Sequence, residues 1–281
     1  MSHKSGFVNI IGNPNTGKST LMNELVGERL SIITSKAQTT RNRIHGIISG
    51  DDFQIVFSDT PGILKPHDKL QEKMLSAVND ALVDADVFLY MVEIGEKPEE
   101  TEFIQKIKKI NKPVILLLNK IDLSNNDDVE LKAKEWHNDI PEAEIIPISA
   151  LHKYNLEFIK ERIIANLPEG PAYYDKDQLT DKPEKFFVSE IIREKVFMYY
   201  AKEVPYSTEI VIDEFKNEPK IIRIRAIIYC ERESQKGILI GHGGIALKRT
   251  GTQARKELEA FFNKKIFLEL YVKVNKDWKG K

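Results

Sequence analysis

Gly12-Asn13-Pro14-Asn15-Thr16-Gly17-Lys18-Ser19 lies between an apolar run, Phe7–Ile11, and a segment with Leu21, Met22 and Leu25 at helical spacing. It satisfies the pattern G-x-x-x-x-G-K-[ST], set between a strand and a helix. In such a loop the backbone N–H groups point inward and, with the N-terminus of the following helix, cradle phosphate. Lys18 is placed to reach β- and γ-phosphates, and the Ser19 hydroxyl to bind Mg²⁺. An ordinary glycine-rich turn would need neither the strand before it nor the helix after it.

Outward from this loop the chain alternates. Short apolar runs at Phe7–Ile11, Phe53–Phe57, Val87–Val92, Val114–Leu118 and Ile145–Ile148 have the length of buried parallel strands. Between them lie helical stripes: Leu70, Met74, Val78, Leu82; Phe103, Ile104, Ile107, Ile110; Leu156, Ile159, Ile163, Leu167. Strands alternating with helices predict an α/β, doubly wound, mostly parallel sheet covered on both faces. The alternation stops at Pro168-Glu169-Gly170-Pro171, and the polar dozen that follows reads as a linker. Beyond it, Glu184–Lys202 reads as a helix and Thr208–Ile212 and Ile221–Tyr229 as strands. Lys236–Phe262 reads as helices broken at Gly241-His242-Gly243-Gly244, and Ile266–Val274 alternates as a half-covered strand. The predicted division is therefore a first domain over 1–170 and a smaller α+β domain, with its linker, over 171–281.

Composition agrees with two folded domains. The chain has 281 residues, 41% hydrophobic and 30% charged, which argues against disorder. A single cysteine, Cys230, excludes an intrachain disulfide framework and a cysteine zinc cluster. No apolar run approaches the ~18–20 residues of a membrane span, and the N-terminus shows no signal-peptide pattern. The net charge of −1 hides an asymmetry. Residues 1–170 hold 20 Lys+Arg against 26 Asp+Glu, a balance of −6, whereas residues 171–281 hold 22 against 17, or +5. From Pro219 onward the count is 15 against 6, or +9, which suits an anionic partner, nucleic acid or membrane surface.

Two further motifs follow the loop in order. Asp59-Thr60-Pro61-Gly62 ends the strand Phe53–Phe57. A carboxylate there can hold Mg²⁺ through water, and Gly62 can offer its N–H to a γ-phosphate without a side chain in the way. Asn119-Lys120-Ile121-Asp122 closes Val114–Leu118. Asp122 can accept from N1–H and the N2 amine of guanine; adenine lacks that donor pair and would leave the carboxylate unpaired. Ser149-Ala150 would add backbone contacts to the base.

In sequence order these elements resemble the guanine-nucleotide domain of the translation-factor-related GTPases. Lys36-Ala37-Gln38-Thr39-Thr40-Arg41 is similar to the Q-T-T-R segment of the Era branch. The resemblance implies GTP and GDP as ligands, Mg²⁺ held by Ser19, Asp59 and Thr40 (with Thr39 as the alternative), and catalysis through Asn15, Lys18, Thr40 and Gly62. Ile63 stands where Ras-like enzymes carry a water-orienting glutamine, so slow intrinsic turnover is implied. Asn15 matches an asparagine that related GTPases use to hold a potassium ion. Thr16 departs from the small apolar residue usual at its position.

The segment Lys236–Arg249 resembles the KH module, whose G-x-x-G loop clamps the nucleic-acid backbone. That implies RNA contacts at Lys236, Gly241, His242, Gly243, Gly244, Lys248 and Arg249, with His242 in place of the usual lysine. A P-loop GTPase domain followed by a type II KH domain is the Era architecture, and the likeness extends through Ile191-Ile192-Arg193-Glu194-Lys195. It implies a monomeric GTPase that binds the 3′ end of small-subunit ribosomal RNA and acts in maturation of the small ribosomal subunit. The implied location is cytoplasmic, with peripheral contact at the cytoplasmic face of the inner membrane. Two rivals make different demands. A membrane-associated regulatory G protein, linked to cell-cycle or metabolic control, predicts a lipidation motif, and neither the N-terminus nor Trp278-Lys279-Gly280-Lys281 carries one. A constitutive RNA-binding protein predicts a decayed nucleotide site, yet Lys18, Ser19, Asp59 and Asp122 are all intact.

Overall fold

The structure, a computed structural model, describes residues 2–34, 36, 38–64, 66–99, 101–276 and 278. Ala37 and residues 279–281, quoted above, lie outside the described residues. By internal contacts the chain divides into two units, one of Met1–Ser31 with Thr40–Asp181 and one of Ile32–Thr39 with Lys182–Lys281.

The first unit runs β1 (Lys4–Gly12), α1 (Lys18–Val26), β2 (Ile44–Ser49), β3 (Phe53–Asp59), α2 (Lys69–Asp84), β4 (Val87–Glu93), α3 (Glu102–Lys108), β5 (Val114–Asn119), α4 (Asn126–Asp139), β6 (Glu144–Pro147) and α5 (Leu156–Asn166). The strands form one sheet in the order β2-β3-β1-β4-β5-β6. All neighbours are parallel except β2, which runs antiparallel to β3 from Ile44 opposite Asp59 to Ser49 opposite Gln54. The five strands read from the sequence are present. β2 is an addition, as is α4, whose only buried residue is Trp136.

Parallel pairing puts the C-terminal ends of the strands along one edge, where a doubly wound sheet binds ligands. Gly12, Asp59 and Asn119 each end a strand there. The other edge strand is strapped by the polar segment after Pro171. Ile47 N–H donates to the Leu179 carbonyl at 2.8 Å, and the Gln54 side chain bonds Tyr173 and Tyr174 backbone. This segment therefore belongs to the first unit's fold up to Asp181.

The second unit contains α6 (Glu184–Tyr199), β7 (Thr208–Asn217), β8 (Ile221–Cys230), α7 (Glu233–Ile240), α8 (Ile245–Phe262) and β9 (Lys265–Val274). Its sheet is ordered β7-β8-β9, antiparallel then parallel. β7 continues past Ile212, where the reading from sequence stopped, because a bulge between Ile212 and Glu214 shifts the alternation. The core gathers Val188, Ile192 and Val196 of α6, Ile224 and Ile228 of β8, Leu239 of α7 and Ala254 and Leu258 of α8. One buried polar chain crosses it: Thr250 Oγ1 donates to Tyr200 Oη at 3.1 Å, and Tyr200 donates to the Leu239 carbonyl at 2.7 Å. Among the described residues, no helix is long and apolar enough to cross a membrane.

Candidate functional site

The loop after β1 is built on left-handed backbone. Gly12, Asn15 and Gly17 have φ of 152°, 65° and 104°. A Cβ on Gly17 would lie 2.4 Å from Asn119 Nδ2, so only glycine fits between the loop and β5. The buried Thr16 hydroxyl donates to the Asn13 carbonyl at 3.0 Å, which accommodates its departure from an apolar residue.

Lys18 folds back into the loop and donates to the carbonyls of Gly12 and Asn13 at 3.0 and 2.7 Å. Burial pushes its pKa down to about 8, against the opposing pull of the Asp59 and Glu96 carboxylates. The Ser19 hydroxyl donates to Asp59 Oδ2 at 2.7 Å and lies 3.0 Å from Thr40 Oγ1, which is 3.3 Å from the same carboxylate oxygen. Thr40, not Thr39, is the threonine placed here; the Thr39 hydroxyl donates to the Lys36 carbonyl at 2.7 Å. Burial pushes the Asp59 carboxyl up despite the bond from Ser19. Its Oδ1 is buried with no hydrogen-bond partner among the described residues. One orphaned carboxylate oxygen beside two hydroxyls is a donor set suited to a hard divalent cation that keeps several waters.

Thr60 Oγ1 donates to the Ile10 carbonyl at 2.8 Å, and Ile63 N–H to the Gly12 carbonyl at 3.2 Å. Between them Pro61 and Gly62 are buried, and a Cβ on Gly62 would lie 2.8 Å from Pro14. Asp59-Thr60-Pro61-Gly62 thus closes directly onto the phosphate loop.

Asn119 ties the third motif to the first. Its Nδ2 donates to the Thr16 carbonyl at 2.7 Å, and its Oδ1 accepts from Ala150 N–H at 3.0 Å. Lys120 takes a left-handed φ of 64° and pairs with Glu93. Asp122 accepts from the Ser149 hydroxyl at 2.6 Å, a side-chain contact that the sequence reading did not include.

Two neighbours escaped the sequence reading. Glu96 accepts a hydrogen bond from Asn13, and burial raises its carboxyl pKa; nothing in Glu93-Ile94-Gly95-Glu96 marks it. His152 Nε2 lies 3.9 Å from Asp122 Oδ2.

In the second unit, α7 ends and α8 begins at the glycine loop. Gly241, Gly243 and Gly244 have φ of 72°, 57° and 78°, and His242 is exposed. A groove of about 340 Å³ runs beside it, lined by Gly244, Leu247, Lys248, Arg255, Leu268 and Leu270 among others. Arg255 was missed, although Lys248, Thr252 and Arg255 recur at helical spacing, in steps of four and three that were available in the sequence. Lys236 is paired with Glu233 at 3.7 Å. Arg249 is committed within the fold: its guanidinium lies 4.6 Å from the Tyr199 ring centroid and donates to the Tyr199 carbonyl.

Residues 7–120 match the family model described as 50S ribosome-binding GTPase, and residues 203–279 match the KH domain. GTPase Era of Alkaliphilus metalliredigens is 45% identical over 284 residues, covering 100% of this chain and 96% of the relative. The chain belongs to the Era family of GTPases. A crystal structure of Era in complex with MgGDPNP and nucleotides 1506–1542 of 16S ribosomal RNA superposes with a TM-score of 0.94 at 42% identity, covering 99% of this chain and 95% of that one. A variant of Aquifex aeolicus Era bound to GDP and AlF4⁻ gives the same TM-score, 0.94, and 42% identity over 98% of this chain and 95% of that one. The α/β phosphate-loop domain and the C-terminal KH domain are thus the Era fold that the motifs implied.

Asn119 carries a structural burden separable from base contact. Asn119→Ala leaves the Thr16 carbonyl and the Ala150 N–H without a partner, and is expected to cost about 2–4 kcal/mol of stability in urea unfolding without nucleotide. Asp122→Ala, at a partly exposed carboxylate, is expected to cost less than about 1 kcal/mol in the same measurement.

Proposed function

We propose that this chain hydrolyses GTP to GDP and phosphate and binds the 3′ end of small-subunit ribosomal RNA, acting in maturation and assembly of the small ribosomal subunit. In this reading residues 1–170 are the GTP-binding domain and 171–281 the KH domain with its linker. The observation that carries it is Asn119, which bonds the phosphate loop and the base-reading loop at once and makes them one site.

Within that site the loop residues 12–19 receive the phosphates on backbone N–H groups. The Lys18 ammonium, now held by two carbonyls, exchanges them for phosphate oxygens and neutralises charge as it develops. Ser19, Thr40 and Asp59 hold Mg²⁺, which when bound supplies positive charge to the β- and γ-phosphates. Asp122 and Lys120 read and cover the base, with Ser149 and Ala150 behind it. Thr60, Pro61 and Gly62 bring a backbone N–H toward the γ-phosphate. Ile63 offers no side-chain hydrogen bond to a water, so the nucleophile is placed by backbone and by charge near Asn15.

RNA is held where α8 begins. The left-handed glycines let a phosphate approach the main chain, while Lys236, His242 and Lys248 add donors and charge, and Arg249 would join them only by leaving Tyr199. The groove beside it, with Leu247, Leu268 and Leu270 in its lining, is the surface proposed for unstacked bases. The proposed location is the cytoplasm; peripheral contact with the inner membrane rests on the family resemblance and on the basic C-terminal third. The proposed state is a monomer.

Cross-linking in cells followed by RNA sequencing is expected to recover the 3′ end of small-subunit ribosomal RNA; enrichment of other RNAs alone would overturn the assignment. Asp122→Asn exchanges an acceptor for a donor, so GTP affinity should fall about tenfold or more and XTP affinity rise. An unaltered preference for GTP would remove Asp122 as the base reader. Asn15 is an exposed residue of the loop, and an amide oxygen is a ligand type suited to a weakly hydrated monovalent ion. Potassium should then speed hydrolysis over sodium at equal ionic strength, and Asn15→Ala should shrink that difference while GTP still binds. Equal rates in the two salts would end the potassium assignment.

A further inference from the structure

Asn23 stands inside α1, where asparagine is a poor helix former because its side chain competes for backbone hydrogen bonds. Here that competition has a target. Asn23 Oδ1 accepts from Leu30 N–H at 3.0 Å and from Ser31 N–H at 2.9 Å, and its Nδ2 donates to the Ser31 carbonyl at 2.7 Å. Both polar ends of a buried amide thus grip the turn that follows α1, and Ser31 is held by its N–H and its carbonyl together. Asn23 and Ser31 both belong to the first unit, as do Ser19, Thr40 and Asp59.

Asn23 lies four residues beyond Ser19, so the two share a face of α1. Ser19 uses that face to reach Asp59 Oδ2 at 2.7 Å. The grip of Asn23 brings the Ser31 hydroxyl to the same carboxyl, near enough to favour its charged form against burial. Yet Ser31 Oγ and Asp59 Oδ1 are both buried with no hydrogen-bond partner among the described residues. Ser31 is 1% exposed and Asp59 0%, so bulk water does not reach them. Ser19 and Thr40 both address Oδ2, which leaves Oδ1 and the Ser31 hydroxyl as a second pair of polar atoms beside the first. A buried polar atom left unpaired costs on the order of 1–3 kcal/mol, so two that neighbour one another call for a shared partner.

The donor set at Ser19, Thr40 and Asp59 fits a cation that dehydrates reluctantly and keeps several waters. A water on such a cation has two hydrogens to donate, and a carboxylate oxygen and a serine oxygen both accept. We propose that Ser31 is a positioning residue of the metal site: together with Asp59 Oδ1 it holds one water of the Mg²⁺ shell. The proposal rests on the reading of Ser19, Thr40 and Asp59 as that site. Alanine at position 31 keeps the backbone that Asn23 grips and removes only the oxygen.

The test uses the full chain with Ser31→Ala, Ser31→Cys and Asp59→Ala. Mg²⁺ is titrated from a chelator buffer into the complex with a fluorescent, non-hydrolysable GTP analogue, and the release rate of the analogue is read at each concentration. Melting temperature is measured without nucleotide or metal. Ser31→Ala should raise the Mg²⁺ concentration for half-maximal retention about tenfold, the lower range for losing a partner of a metal's ligand, with release in excess chelator changed less than about twofold. Its melting temperature should hold or rise, because the hydroxyl removed was buried and unpaired. A lower melting temperature with an unchanged Mg²⁺ requirement would make Ser31 a structural residue and overturn the proposal. Should Ser31→Ala prove poorly folded, Ser31→Cys, nearly the same shape with a weak acceptor, decides by the same Mg²⁺ requirement. If Asp59→Ala raises that requirement and the Ser31 variants do not, the water assignment is overturned and the metal reading stands. If Asp59→Ala leaves it unchanged, the metal reading fails and the proposal fails with it.

Discussion

The parallel pairing of β1 with β3 and β4 is the constraint on which the nucleotide site depends. In that register Ile10 lies opposite Asp59, and Gly12 opposite Met91. Side chains alternate with period two along a strand, so a slip of one residue would turn Asp59 to the other face of the sheet. It would also carry Gly12 away from the Met91 carbonyl, which lies 2.2 Å from where a Cβ on Gly12 would stand. The three chemical motifs sit far apart in sequence, but each needs only to end its strand. The sheet then sets them along one edge, and Asn119 locks two of them together.

The same buried placement sets the electrostatics. Lys18 and Asp59 are inside the protein before any nucleotide arrives, and burial opposes charge on both, lowering the lysine and raising the carboxyl. Lys18 is stabilised meanwhile by two carbonyls, which are weak substitutes for an anion. A phosphate group supplies what the loop lacks, and the cost of burying the charged groups has already been met in folding. This is preorganisation in the physical sense: little has to reorient as charge shifts during the reaction.

Much of this was legible in the sequence because it is local. A phosphate loop needs glycines at fixed spacing, and buried parallel strands need short apolar runs; both show in a single reading of the chain. β2 was not legible. Ile44-His45-Gly46-Ile47-Ile48-Ser49 is an edge strand with a glycine inside it, and its pairing with β3 is a long-range fact. α4 was missed because one tryptophan anchors an otherwise polar helix, although Asn125 accepting from Asp128 N–H and two acids in the first turn are ordinary start signals. Glu96 and the partners of Arg193 had no local signal at all. Their roles come from what the fold brings beside them, and a charged residue on a loop or helix reads as solvated until a partner is seen. The segment Ile32–Thr39 is the sharpest case: its sequence places it inside the first domain, while its hydrogen bonds place it with α6.

The two proposed anion sites share a construction that sequence patterns only hint at. α2, α3 and α4 are closed at their N-termini by side chains of Asp68, Thr101 and Asn125. α1 and α8 instead start from glycines, Gly17 at φ 104° and Gly244 at φ 78°, with no side-chain cap. The first N–H groups of a helix have no partner within it, and a capping side chain would compete for them. α5 and α6 also lack side-chain caps, so an uncapped start alone does not mark a site. What separates α1 and α8 is the left-handed glycine, which turns the preceding loop so that its own N–H groups join those of the helix and leaves no Cβ in the way. The proposed GTP site and the proposed RNA site therefore rest on one device, used once after a parallel strand and once between two helices.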